Sequence, residues 1–142
     1  MTVRTLIFLP GLNRFSDLGL LGLRVLTGAF LIYGVMDNVL SAERMNEFVQ
    51  FMAANGFAMP ELMAPLSVYA QLICGVLLVL GLLTRWAGLI LAINFIVGVV
   101  MVHWAQDFRG WWPAIVLVFI GLQYAAVGGG RYSLDRWLSP RA

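Results

Sequence analysis

The sequence predicts an all-α membrane protein: a four-transmembrane-helix antiparallel bundle with an amphipathic segment between helices 1 and 2. Three observations carry this expectation. Of 142 residues, 61% are hydrophobic and 11% charged, against roughly 25% charged in a soluble domain. A soluble domain this small could not cover its surface with so few polar side chains, and disorder needs the opposite balance. Four apolar stretches are long enough to cross a bilayer, since about nineteen helical residues reach about 28 Å, close to the roughly 30 Å hydrocarbon core. Arginines and tryptophans punctuate the ends of those stretches. The whole chain, 1–142, reads as one integral membrane domain.

Residues 1–16 read as a retained interfacial arm. The apolar run Leu6 to Leu9 is too short for a signal-peptide core, Pro10-Gly11 ends it, and no small-residue cleavage site follows. The first span covers about 18–38. The segment from Ser41 to Ala64 carries Glu43, Arg44, Glu47 and Glu61, with Met45, Phe48, Val49 and Met52 at helical spacing on one side. It predicts a short amphipathic helix, N-capped by Ser41 and stopped near Gly56, lying at the membrane surface or capping the bundle. Met59-Pro60 and Ala64-Pro65 then turn the chain into the second span, 66–83. Thr84-Arg85 is a tight break before the third span, 86–104, so these two helices form an antiparallel hairpin. The fourth span covers 111–127, and Gly128-Gly129-Gly130 stops it ahead of a tail, 128–142. The runs are continuous rather than alternating, which argues for helices over barrel strands.

Topology follows from the arginines. With both termini in the cytoplasm of a bacterial inner membrane, Arg4, Arg14, Arg85, Arg131, Arg136 and Arg141 lie inside and Arg44 and Arg109 outside. Asp37, Glu43, Glu47, Glu61 and Asp107 then fall on the outer side. Trp86, Trp104, Trp111, Trp112 and Trp137 all sit at expected helix ends, in the aromatic belt.

Composition also narrows the chemistry. Cys74 is the one cysteine and His103 the one histidine, and all nine basic residues are arginine. An internal disulfide, a two-cysteine redox motif, a histidine cluster for a metal, and Schiff-base or P-loop lysine chemistry are excluded within the chain. The scattered arginines give no nucleic-acid patch. No metal site and no intrinsic cofactor are expected, and quinone is the one candidate ligand of that kind.

Polar residues inside spans are expensive and mark candidate sites. Arg24, well within the first span, either snorkels to the headgroups or faces inward to hold an anion; snorkelling is the simpler reading. Tyr33, Asp37 and Asn38 cluster at the outer end of that span, where a carboxylate either relays protons, bonds a quinone ring or merely ends the helix. Ser67, Gln71 and Cys74 form a polar stripe along the second span, serving either as helix cross-links or as a ligand site. Cys74 beside Gly75 suits a small packing residue. Asn94, with Gly98 four residues on, suits a helix contact with an interhelical hydrogen bond. His103 is either a hydrated interfacial histidine or a group for a proton, a metal or a quinone carbonyl. Asp37, Asn38, His103 and Asp107 all map to outer helix ends and would form an acidic cleft if the bundle gathered them. The ligand or quinone candidates are therefore Asp37, Asn38, Gln71, Asn94 and His103, with no catalytic residue among them. Arg24, Arg85, Arg131 and Asp135 are assigned to structure and topology.

Two strings carry a resemblance. Leu80-Gly81-Leu82-Leu83-Thr84-Arg85 and Gly129-Gly130-Arg131-Tyr132-Ser133-Leu134-Asp135 resemble the "LGLxTR" and "GPGRYSLD" signatures of the DoxX family, and the likeness extends over roughly 18–138. The resemblance implies a compact four-helix bacterial inner-membrane protein. The family takes its name from a subunit of a thiosulfate:quinone oxidoreductase, and other members are linked to membrane redox complexes. The chain departs from the pattern. Gln71 stands where members commonly carry a glutamate, Trp111-Trp112-Pro113 where another often stands, and Asp37-Asn38 follow Gly34 where a lysine or other polar group is frequent. Losing two membrane carboxylates counts against a proton-coupled role. Arg131 and Asp135 are expected to pair and anchor the tail.

Three functions follow as expectations. The first is a non-catalytic membrane subunit or scaffold of a redox-associated complex. The second is a quinone-linked oxidoreductase subunit, and the third a small-molecule or lipid carrier using the Gln71–Asn94 interior. The expected partners are the lipid bilayer and a protein partner or a second copy of the chain, not nucleic acid.

Overall fold

The computed structural model describes residues 3–139, which are helical and contain no strand. Residues 1, 2 and 140–142, Arg141 among them, lie outside the described residues. The chain runs through α1 (Val3–Phe8), a 3-10 stretch (Pro10–Phe15), α2 (Ser16–Leu40), α3 (Ala42–Ala54) and α4 (Pro60–Leu80). It continues through α5 (Thr84–Gly98), a π-turn that prolongs α5 (Val99–His103), α6 (Phe108–Val127) and α7 (Leu134–Leu138). Four helices are long and apolar enough to cross a membrane: the one ending at Leu40, α4, α5 with its π-turn, and α6. Short links fold α4, α5 and α6 back on one another, while α3 returns the chain from α2 to α4. One end of the bundle thus carries the start of α2, the α4–α5 link and the described tail. The opposite end carries α3 and the α5–α6 link. We call these the tail end and the α3 end.

Local chemistry explains the boundaries. Ser41 N-caps α3 by accepting from the Arg44 N–H (3.3 Å), and Gly56 takes a left-handed φ of +78° just past the helix. The Gly81 N–H donates to Leu78 O and the Leu82 N–H to Leu77 O, which is a Schellman stop for α4. The second membrane helix begins earlier than expected. Ala64-Pro65 is not a turn; Pro60 opens α4 and Pro65 lies inside it. Pro65 disrupts only the first-turn carbonyl of Glu61, at a helix end where that group has other outlets, so the helix tolerates it.

Lipid supplies no hydrophobic drive between helices, so close packing has to. α2 packs on α4 and α5 on α6, each pair meeting backbone to backbone at two glycines. A Cβ at Gly28 would lie 2.5 Å from Gly75 O, and one at Gly88 2.5 Å from Gly121 O, so neither position admits even a methyl group. Leu31, Cys74, Leu78, Leu91 and Tyr124 fill the core between the pairs. Cys74 packs there as a small residue. Gly98 makes no helix contact, contrary to expectation, for a Cβ there would meet open space.

The tail end corrects two further expectations. Arg24 does not snorkel: it is 1% exposed, and its guanidinium donates to Gly129 O and to Tyr132 O (2.6 Å). The tail folds over α2 and brings its own carbonyls within hydrogen-bond reach of the guanidinium. Arg131 and Asp135 do not pair. Both Asp135 oxygens accept backbone N–H groups at the start of α5, from Leu83 (2.6 Å) and Thr84 (2.8 Å). The Arg131 N–H donates to Asp17 (3.0 Å). Unmet N–H groups at a helix start attract a carboxylate as strongly as a neighbouring guanidinium does, and cost less side-chain ordering. Arg85 donates to Ala125 O (2.9 Å) and Ala126 O (2.6 Å), closing the last turn of α6. Trp86, Trp104, Trp112 and Trp137 are exposed at helix ends, whereas Trp111 is half-buried against Phe108 with ring centroids 4.9 Å apart.

Candidate functional site

Ser67 and Gln71 lie one turn apart on α4, so their side chains share a face. Gln71 Nε2 donates to Ser67 Oγ (3.1 Å), and Ser67 Oγ donates across to Asn94 Oδ1 on α5 (2.8 Å). The chain of bonds has a direction. With Asn94 Oδ1 occupied as an acceptor, its Nδ2 is left as a donor, and Gln71 retains Oε1 as an acceptor.

These three residues line a cavity of about 510 Å³ between α3, α4 and α5 at the α3 end. Its walls are otherwise apolar and aromatic: Phe48 and Phe51 from α3, Phe57 from the following loop, Phe95 from α5, with Met52 and Met63. Phe48 and Phe51 stack with ring centroids 6.2 Å apart. α3 therefore caps the bundle, and much of its apolar stripe faces protein rather than lipid.

His103 lines the same cavity. Nine residues separate it from Asn94, which at about 100° per residue would put the two on opposite faces of a regular helix. The π-turn at Val99–His103 adds a residue to the winding and shifts the phase by about 100°, bringing His103 round to the cavity. Its Nδ1 donates to Gln106 Oε1 (2.9 Å), which leaves Nε2 of the neutral ring as an acceptor.

Of the five candidate ligand residues the structure brings together Gln71, Asn94 and His103, and places Asp37 and Asn38 elsewhere. Asp37 accepts from the adjacent Asn38 N–H (2.9 Å) within α2, and Asn38 Nδ2 donates to Arg44 O (3.1 Å), tying the end of α2 to the start of α3. Asp107 caps α6 through the Gly110 N–H (2.9 Å). The acidic cleft is not assembled, because each of these groups is taken up by backbone at its nearest helix terminus. Ser67, expected in a polar stripe as a helix cross-link or part of a ligand site, was not among the five ligand candidates and is the central bridge of the site. Of the two placements expected for the α3 stripe, membrane surface or bundle cap, Phe48 and Phe51 line the cavity as a cap.

Among the described residues no three metal-ligating side chains converge. The cavity can hold a neutral, largely apolar molecule of small-ligand size that presents a hydrogen-bond acceptor to Asn94 or a donor to His103. A quinone fits this donor set: its ring suits the aromatic walls, its carbonyls need donors, and no carboxylate lines the cavity.

Residues 19–104 match the model of the DoxX family, a stretch that includes every residue of the hydrogen-bond chain and His103. The protein named "Putative oxidoreductase CatD" of Bacillus subtilis (strain 168) is 30% identical over 122 residues, covering 85% of this chain and 87% of that one. No solved structure matches the chain.

Proposed function

The chain belongs to the DoxX family, and on that footing we propose that it is a membrane subunit of a redox-associated complex, not catalytic by itself, whose α3-end cavity holds a quinone. The observation that carries this reading is the convergence of Asn94, Gln71 and His103 on one aromatic-walled cavity. The Bacillus subtilis relative bears an oxidoreductase name, which agrees with it. The single histidine and single cysteine give the chain no metal or thiol pair with which to move electrons, so a partner protein supplies them.

A quinone held in this cavity would supply two-electron, two-proton chemistry, with the electrons coming from the partner protein. The residues do the rest. Asn94 Nδ2 would donate to a quinone carbonyl oxygen, and its own orientation is held by Ser67 and Gln71. The phenylalanines of the α3 roof would pack against the ring. His103, its Nδ1 fixed by Gln106, holds or releases a proton at Nε2 near the end of the bundle. This role needs no buried carboxylate and so accommodates Gln71 where the family resemblance leads one to expect a glutamate. The same reading puts both termini in the cytoplasm of a bacterial inner membrane, on the arginine asymmetry of the sequence.

Solvent extraction of protein purified in mild detergent tests the ligand, and copurifying proteins test the partner. The reading expects bound quinone and a soluble or membrane oxidoreductase. Neither quinone nor partner in the preparation would reject it. Reporter fusions after Arg44 and after Arg131 test the topology, with the first expected outside and the second inside.

A further inference from the structure

A second cavity lies at the tail end, separate from the quinone site, with a volume of about 960 Å³. It forms where the α4–α5 link meets the glycine turn and α7. Three arginines line it: Arg85, Arg131 and Arg136. Two carboxylates, Asp17 and Asp135, line it too, but they are engaged by backbone N–H groups: Asp135 by Leu83 and Thr84, Asp17 by Arg131. Among the described residues none of these arginines pairs with a carboxylate, the sole ion pair being Arg44–Glu47 at the other end. The buried Arg24 guanidinium adds a further positive charge behind the glycine turn. Bonds to neutral N–H groups leave both carboxylates charged, so the lining carries three positive charges against two negative, before the buried Arg24 behind it is counted.

A second observation points to a ligand. Thr84 lines the cavity and is 0% exposed, yet its Oγ1 has no hydrogen-bond partner among the described residues. A buried hydroxyl left unmatched destabilises the protein unless something completes it. The rest of the lining sets the shape of what could. Leu83, Trp86, Val127 and Leu138 form an apolar flank, and Trp86, 64% exposed, sits at an expected membrane interface.

We propose that this cavity is a binding site for a phosphate group, as carried by an anionic phospholipid. Guanidinium groups of Arg131 and Arg136 would hold the phosphate oxygens by charge-assisted bonds, Thr84 Oγ1 would donate to the same group, and the glycerol and acyl portion would follow the apolar flank out past Trp86. Arg85 is already committed to the α6 carbonyls and contributes charge rather than a new bond. The site anchors the tail end to the charged face of the bilayer.

The test compares the full-length protein in nanodiscs and in detergent. Native mass spectrometry reads how much phosphatidylglycerol is retained relative to phosphatidylcholine, and inorganic phosphate and glycerol phosphate serve as competitors. The variants are chosen to fold, because the bonds at Arg131 and Arg136 run through their backbone N–H groups and survive a side-chain change. Each charge-assisted bond from a guanidinium to the phosphate is worth roughly tenfold, so the Arg131→Gln/Arg136→Gln double variant should lose about a hundredfold in phosphatidylglycerol retention. Arg14→Gln removes an arginine from the same end but outside the cavity, and should leave retention unchanged. Thr84→Val should weaken retention while leaving the lipid-free protein as stable as before or more so, a pair of opposite signs that a merely structural threonine would not give. Phosphatidylglycerol retained and unmoved by inorganic phosphate identifies the lipid as the source. Competition by inorganic phosphate with the same arginine dependence supports the site with a soluble phosphate as its ligand. Equal retention of both lipids, or equal losses for Arg14→Gln and the double variant, would overturn the proposal.

Discussion

Arg24→Met separates a buried latch from a snorkelling side chain by the sign of its effect. The substitution keeps the length and apolar stem of residue 24 and removes the guanidinium. In the structure that group makes two charge-assisted bonds, to Gly129 O and Tyr132 O, each worth about 1.5–3 kcal/mol. Burial works against it: Nε has no partner among the described residues, and desolvation of the head offsets about 2–3 kcal/mol. Tyr132 is half exposed, so its carbonyl regains water in the variant, whereas Gly129 is buried and its carbonyl does not. The net loss comes to about 2 kcal/mol, or about 6 °C in Tm for a domain of this size. The tail should loosen first, because the bonds that break belong to it. Thermal unfolding in detergent, paired with limited trypsin cleavage at Arg131 and Arg136, reads both effects. Arg24→Lys should fall between wild type and Arg24→Met, since an ammonium cannot span two carbonyls in the planar fork geometry. A lipid-facing Arg24 predicts the reverse, because removing a charge from an exposed span favours insertion. An Arg24→Met protein as stable as wild type, with an equally protected tail, would refute the latch.

Other substitutions probe the remaining contacts. Asp135→Ala removes the acceptor for two N–H groups at the start of α5 and should destabilise by about 1–2 kcal/mol, with amide exchange rising first at Leu83 and Thr84; unchanged exchange there would rule out the cap. Gly121→Ala places a Cβ 2.6 Å from Gly88 O and should force α5 and α6 apart, costing about 1–3 kcal/mol in unfolding assays, and wild-type stability would contradict the close crossing. Ser67→Ala breaks the bridge between Gln71 and Asn94, and should cost about 1 kcal/mol of stability while releasing the Asn94 side chain, visible as a loss of its amide proton dispersion by NMR.

The spans were legible because length and hydropathy are local properties. The capping of α3 by Ser41 was legible for the same reason, since the cap and the group it satisfies lie three residues apart. Pro65 was misread because the rule against proline in helices relaxes in the first turns, and nothing nearby tells which side of that limit a proline occupies. Arg24 and Asp135 were beyond local reading: their partners lie 105 and 52 residues away along the chain. For the site, the Gln71–Ser67 spacing was visible and its partner Asn94 was a candidate, but no pattern in the sequence joins the two helices. His103 depended on a π-turn, a backbone choice made by packing around Val99–His103 rather than by its residues. Asp37 and Asn38 sat near the right end of the right helices and still missed the cavity, since Asp37 bonds the neighbouring Asn38 N–H and the start of α3 takes the Asn38 amide.

The central claim is that the α3-end cavity binds a quinone through Asn94. Titration of the purified protein with a short-chain quinone, followed by quenching of intrinsic fluorescence, tests it directly when set beside Asn94→Leu. The account predicts saturable binding to the wild type and about tenfold weaker binding to the variant at matched thermal stability, the loss expected for a donor hydrogen bond in an apolar site. Absence of saturable binding, or equal affinity in the two proteins, would contradict it.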